Sequence, residues 1–127
     1  MDFRDNPAIY IQIADYVCEQ ILLRKWNLGD KILSIRELAV AMEVNPNTVQ
    51  RAYDFLQQRE IINNRRGLGY FIEADAEKRI LGFRREQFME NELPIFLKTM
   101  YLLRIDIKDI EKRLEKYVSE NYKKTKL

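Results

Sequence analysis

Apolar residues recur every four positions at Ile9, Ile13, Val17 and Ile21, with Tyr16 beside them, between Pro7 and Gly29. That period predicts a helix with one buried face. Gly29 marks the exit turn, and Trp26 and Leu28 are placed to fold back on the core. A second, short helix follows. Ser34 and Glu37 stand three apart ahead of an apolar run, the signature of a capping box in which hydroxyl and carboxylate each satisfy a free terminal N–H. Leu38, Ala39 and Met42 supply its inward face, and it ends near Glu43. A third helix opens at once. Asn45 is a good N-cap, and Pro46 suits the first helical position, where no N–H is needed. Val49, Ala52, Tyr53 and Leu56 face inward, while Asn47, Thr48, Gln50 and Arg51 are pushed outward. Two helices meeting across "EVN" make a helix-turn-helix. Ile61–Asn64 and Tyr70–Ile72 can then pair as a hairpin around Arg65, Arg66, Gly67, Leu68 and Gly69. A lone two-stranded hairpin is marginal, so it must lean on the helices.

The pattern changes after about residue 73. From Ala74 to Arg104 the chain reads as one long helix, with Asp75 as its cap and Pro94 expected to kink or interrupt it. A second helix starts at Asp106, its early acidic residues Asp106 and Asp109 matching the helix dipole. The final "YKKTKL" reads as a frayed basic tail. Ile80, Leu81, Phe83, Phe88, Phe96, Leu97, Met100 and Leu103, then Ile110 and Leu114, are too many apolar groups for helices alone in water. Some can pack on the first part of the chain, and a second copy of the chain is the simplest surface to cover them. The predicted architecture is mainly α with a small β-hairpin: a winged helix-turn-helix over residues 1–73, then an α-helical dimerisation tail over 74–127.

Composition narrows the chemistry. The chain has 127 residues, which suits one domain or a small domain with a helical appendage. Residues 1–75 carry nine basic and eleven acidic side chains, and residues 76–127 carry thirteen and nine. There is no His, so the commonest general base and transition-metal ligand are both missing. The single Cys, Cys18, lies inside the first apolar stripe, where it reads as a small core filler and excludes a disulfide framework. No glycine-rich phosphate loop or paired catalytic geometry is legible, so no catalytic residue, metal or cofactor is assigned. The start lacks a secretory pattern and no run of about eighteen apolar residues occurs, so neither signal peptide nor membrane span is expected and a reducing cytoplasm fits.

The polar front of the third helix points to duplex DNA. An α-helix fits the major groove and reads it from its first turn. Asn and Gln can bond adenine bidentately and Thr can bond either base or phosphate, so Asn47, Thr48 and Gln50 stand in apt places. Pro46 can offer its ring to a thymine methyl, and Arg51 lies on the flank, toward phosphate. Arg36, two residues after Ser34, can clamp a phosphate together with the start of its helix. Arg65 and Arg66 suit either the DNA backbone or a minor groove. Each of these features alone is ordinary surface; it is their order along the chain that makes a site. A winged-helix scaffold that binds protein instead of DNA is the competing reading, favoured by the slight acidity of the first part.

"PAIYIQIADYV", "LGDKILSIRELAVAMEVNPNTVQRAYDFLQQREII" and "RGLGYFI" together resemble the DNA-binding domain of the GntR family of bacterial transcriptional regulators, over roughly residues 7–72. "NPNTVQRAY" with a short two-helix tail is most similar to the YtrA subfamily. The resemblance implies a cytoplasmic homodimer, with each copy set on half of a palindromic operator, and commonly repression of a transporter operon. It implies phosphate or base contact by Arg36, groove contact around Asn45, Pro46, Asn47, Thr48 and Gln50, a minor-groove tip at Arg66 and Gly67, and a backbone-proximal Ser34. Three positions depart from the family pattern. Leu33 stands where Pro is usual, Glu60 where Gly is frequent, and Pro46 where Arg is frequent, which moves base reading onto Asn47, Thr48 and Gln50. About fifty residues remain for the tail, enough for a dimerisation arm and too few for an enclosed metabolite pocket as well. An effector, if one exists, is unknown.

Overall fold

A computed structural model describes residues 8–123. The first-helix start at Pro7 and the last four residues of the basic tail lie outside that range. The chain divides into two compact units between Arg85 and Glu86.

The first unit is built on three helices, α1 (Ala8–Leu22), α2 (Ile35–Met42) and α3 (Pro46–Gln58), then strands β1 (Ile62–Arg65) and β2 (Gly69–Ile72), and it takes in most of α4 (Ala76–Gln87). The stripe Ile9, Ile13, Val17 and Ile21 is buried together with Leu38, Val49, Ala52, Tyr53 and Leu56, so α1 lies against the helix-turn-helix along one core. Tyr16 stays exposed and sets its ring edge-on to Trp26, 6.0 Å away. Trp26 packs on the core as expected; Leu28 does not, and remains exposed.

Both caps form as read. Glu37 N–H donates to Ser34 Oγ at 3.1 Å while Ser34 N–H donates to Glu37 Oε1 at 2.8 Å. Asn47 N–H donates to Asn45 Oδ1 at 2.7 Å, with Pro46 in the first turn. Helix ends share one device. Arg24, Glu43, Glu60 and Arg104 all take a left-handed conformation, φ between 55° and 59°. After α3, Glu60 N–H reaches Gln57 O and Ile61 N–H reaches Leu56 O, both at 2.9 Å, with Leu56 and Ile61 sealed in the core beneath. That is the Schellman closure, in which glycine normally holds the left-handed position. Glu60 therefore closes the turn without a glycine, and its carboxylate meets Arg79 at 3.2 Å.

The wing is tied down twice. β1 and β2 pair antiparallel, with Ile62 opposite Ile72 and Arg65 opposite Gly69, and Arg65 joins the strand beyond the expected end at Asn64. The exit turn of α1 then adds a third edge, which local sequence pattern does not reveal: Gly29 and Ile32 N–H groups donate to Ile72 O and Tyr70 O, and Ile72 N–H donates to Asp30 O, each at 2.9 Å. Tyr53 fixes the other side, its ring 4.8 Å from Tyr70 and its hydroxyl donating to Leu33 O at 2.6 Å. Burial pushes the Tyr53 hydroxyl pKa upward, so it stays a neutral donor.

Ala76 and Ile80 of α4 are fully buried in this first core, and Phe83 packs on it edge-on to Phe55, with the Arg59 guanidinium about 4.5 Å from each ring. Ile80 is therefore corrected: it has no surface left for a second copy. The Asp75 carboxylate, expected as a cap, instead meets Arg79 at 3.1 Å one turn on, a contact that holds its pKa below the usual carboxylate value.

The second unit contains α5 (Leu93–Leu103) and α6 (Ile107–Val118). Pro94 does not end the helical course. The turn before it, Phe88–Glu92, widens to π-helical spacing, with Leu93 N–H donating to Phe88 O, which accommodates a residue that cannot donate. Asp106 caps α6 by accepting from Lys108 N–H at 2.9 Å. Met100 is buried and Ile110 half-buried, whereas Phe88, Phe96, Leu97, Leu103 and Leu114 are exposed. α5 and α6 make little contact with each other.

Candidate nucleic-acid interface

The front of α3 divides into solvent-facing and inward-facing positions. Asn45 and Pro46 are exposed, but the Asn45 side-chain oxygen is engaged by its own helix. Asn47 and Gln50 point to solvent, Asn47 with no side-chain partner among the described residues and Gln50 with Nε2 donating to Asp54 Oδ1 at 2.9 Å. Thr48 does not point outward. It is only 8% exposed and lines an apolar cleft of about 340 Å³ with Ile9, Ile13, Met42 and Val44. Helical phase explains the correction: Thr48 precedes Ala52 by four and so shares the inward face.

Arg36, on α2, lines a crevice with Ala39, Val40, Val44 and Pro46, so the structure brings it to the mouth of the helix-turn-helix beside the start of α3. It makes no ion pair among the described residues; the Glu37 carboxylate accepts from Ser34 N–H, and Glu60 pairs with Arg79. The backbone N–H of Ser34 holds the Glu37 carboxyl below its usual pKa. That carboxylate stays ionised at the start of α2, so Arg36 supplies the positive charge at this edge. Ser34 is exposed at the same edge.

Two of the four arginines are pre-placed on aromatic rings. The Arg51 guanidinium sits 4.3 Å from the Tyr10 centroid, and that of Arg65 sits 4.1 Å from Phe71. Such stacking restrains the long side chains while leaving their charge exposed. Arg66 stands at the wing tip without a partner among the described residues, beside Gly67 at φ 78°. Leu68 N–H donates to Arg65 O at 2.8 Å, closing the tip.

Two wing residues escaped the sequence reading. Leu68 is 61% exposed at the tip, an apolar surface beside the arginines. Lys31 runs alongside Gly69, its Cε 2.9 Å from where a Cβ would stand, and the φ of 115° at Gly69 is what calls for glycine there. The alternating polar tip hinted at Leu68; Lys31 depends on a pairing between distant segments and left no local signal.

Burial pushes the Cys18 thiol up to about 12, which removes the reactive thiolate. Among the described residues no group of His, Cys, Asp or Glu is placed to hold a metal ion, and no helix is long and apolar enough to cross a membrane.

Comparison with known proteins agrees with the geometry. Residues 9–72 match the model of the bacterial regulatory proteins of the gntR family. The chain is 37% identical over 98 residues to the uncharacterized helix-turn-helix transcriptional regulator YhcF of Bacillus subtilis, covering 77% of this chain and 79% of that one. It is 40% identical over 77 residues to the helix-turn-helix transcriptional repressor YtrA of the same organism, covering 61% and 59%. A solved GntR family transcriptional regulator from Listeria monocytogenes superposes with a TM-score of 0.71 at 37% identity, over 90% of this chain and 98% of that one. These relatives are regulators and not enzymes. With its capped α3, its wing and a family match across the whole helix-turn-helix, the chain belongs to the GntR family of transcriptional regulators and carries that family's DNA-binding winged helix.

Proposed function

We propose that the chain works in the cytoplasm as a homodimeric repressor that occupies a palindromic operator. The observation that carries this reading is the pairing of two surfaces: a rigidly capped, polar α3 front with Arg36 beside it, and an uncovered apolar set on α5 and α6. Asn47 and Gln50 read base edges; Arg36, Arg51 and Arg65 hold phosphates; Arg66 and Gly67 lead the wing into the minor groove, with Ser34 close to the backbone. Asn45 and Thr48 act from behind, one as cap and the other as wall. Phe88, Phe96, Leu97, Leu103, Ile110 and Leu114 meet the same residues of a second copy, with Leu81 and Met100 as flanking support. Two α3 helices then stand about 34 Å apart, in successive major grooves. Repression follows from occupancy of the promoter, as the repressor name of the YtrA relative suggests, and a transporter operon is the target that the subfamily resemblance implies.

A salt titration of DNA binding tests this. Arg36→Ala weakens operator and scrambled duplex alike and lowers the salt slope by about 1. Asn47→Ala lowers their ratio by about 1–3 kcal/mol. A ratio that Asn47→Ala leaves unchanged removes Asn47 from base reading, and a chain that prefers no duplex returns the fold to protein interaction.

A further inference from the structure

Gln50 and Asp54 lie one turn apart on the exposed side of α3, joined by the 2.9 Å bond from Gln50 Nε2 to Asp54 Oδ1. A carboxylate can only accept, so this contact decides which end of the amide faces it. The nitrogen turns back toward Asp54. Oε1 and the second N–H are left for another partner, in a set order. An amide without such an anchor presents its two ends with equal ease.

The surroundings leave Asp54 to this task. Arg51, three residues earlier on the helix, is the natural ion-pair partner for Asp54. Its guanidinium lies over the Tyr10 ring instead, 4.3 Å from the centroid. Asp54 forms no ion pair among the described residues, and its only hydrogen bond there is with Gln50. A free carboxylate on a DNA-facing helix repels phosphate, so its presence beside the reading residues needs a reason in recognition.

We propose that Asp54 is a positioning residue for base reading: it holds the Gln50 amide in one of its two orientations, and so sets the base that Gln50 selects. This rests on the DNA-binding reading above. The edge that matches one acceptor beside one donor is adenine, with its N6 donor and N7 acceptor. The guanine edge offers two acceptors there, and a negative charge one turn behind opposes it further. Asp54 touches no base itself; it acts by removing the amide's alternative.

The test selects duplexes from a randomised pool with the full chain, then measures affinities on the winning duplex and on its single-base variants. The wild type is expected to favour one A·T pair in each half-site by about tenfold. Gln50→Ala abolishes that preference. Asp54→Asn, whose amide can accept or donate, lets Gln50 turn over and cuts the preference to about threefold or less. Asp54→Glu retains it. In the Gln50→Ala background, Asp54→Asn changes nothing at that base pair. The proposal is overturned if Asp54→Asn shifts affinity for every duplex by one common factor and leaves the base preference intact, because Asp54 then contributes charge alone. A wild type that enriches a sequence but shows no dependence on Gln50 also overturns it, while leaving the regulator reading in place. A wild type that enriches no sequence overturns both.

Discussion

The two units handle apolar side chains in opposite ways. Up to Arg85, Val17, Val49, Ala52, Tyr53, Leu56, Ile61 and Ile80 are withdrawn from solvent into a single core. Beyond Glu86, Met100 is the sole buried apolar residue among those described, and Phe96, Leu97, Tyr101, Leu103 and Leu114 stay between 43% and 83% exposed. Yet the helices of the second unit are well formed, with a capped α6. Good local signals make a helix; only a partner surface makes a core. The first unit carries its partner surfaces within itself, and the second, among its described residues, does not.

That contrast can be broken at four points. The largest effect is expected in the first core: Leu56→Ala leaves a cavity under the α3 closure and costs about 2–5 kcal/mol in urea unfolding of the full chain. Leu97→Asp in the second unit acts on assembly instead. Sedimentation should show dissociation to monomers and operator affinity should fall about 100-fold as bivalent engagement is lost, while the urea transition of the first unit stays in place. A Leu97→Asp chain that remains dimeric would erase the distinction. Tyr53→Phe keeps the ring on Tyr70 and removes only the hydroxyl bond to Leu33, a loss of about 1 kcal/mol by the same denaturant measurement. The smallest change has the opposite sign. Glu60→Gly relieves a left-handed residue but gives up the contact with Arg79, and a net gain of about 0.5 kcal/mol in thermal unfolding is expected.

Local chemistry was legible and long-range chemistry was not. The capping box, the Asn45–Pro46 start and the end of α2 all depend on residues within four positions, and all appear where the sequence puts them. The strands were readable to within one residue. Thr48 has a polar side chain on the inward helical phase, and threonine tolerates that burial better than asparagine does. Ile80 looks like part of the tail because α4 continues past Arg85 with no break in its pattern, so nothing local separates the residues that close the first core from the exposed apolar residues beyond it. The edge made by Gly29–Ile32 joins segments some forty residues apart and follows from no periodicity. At the interface the residue types were visible, but their engagements were not: Arg51 on Tyr10, Arg65 on Phe71 and Gln50 on Asp54 emerge only in three dimensions.

The widened turn ahead of Pro94 has an outcome for rotational phase. A π-helical turn holds one residue more than an α-turn, and each α-helical residue advances about 100° around the axis. Across the turn a helix face therefore repeats after eight residues and not seven, so Phe88 comes into line with Phe96 and Met89 with Leu97. All four are exposed, and they form one apolar ridge that an unbroken α-helix would split. Deletion of one residue between Phe88 and Glu92 would turn the two pairs about 100° out of line.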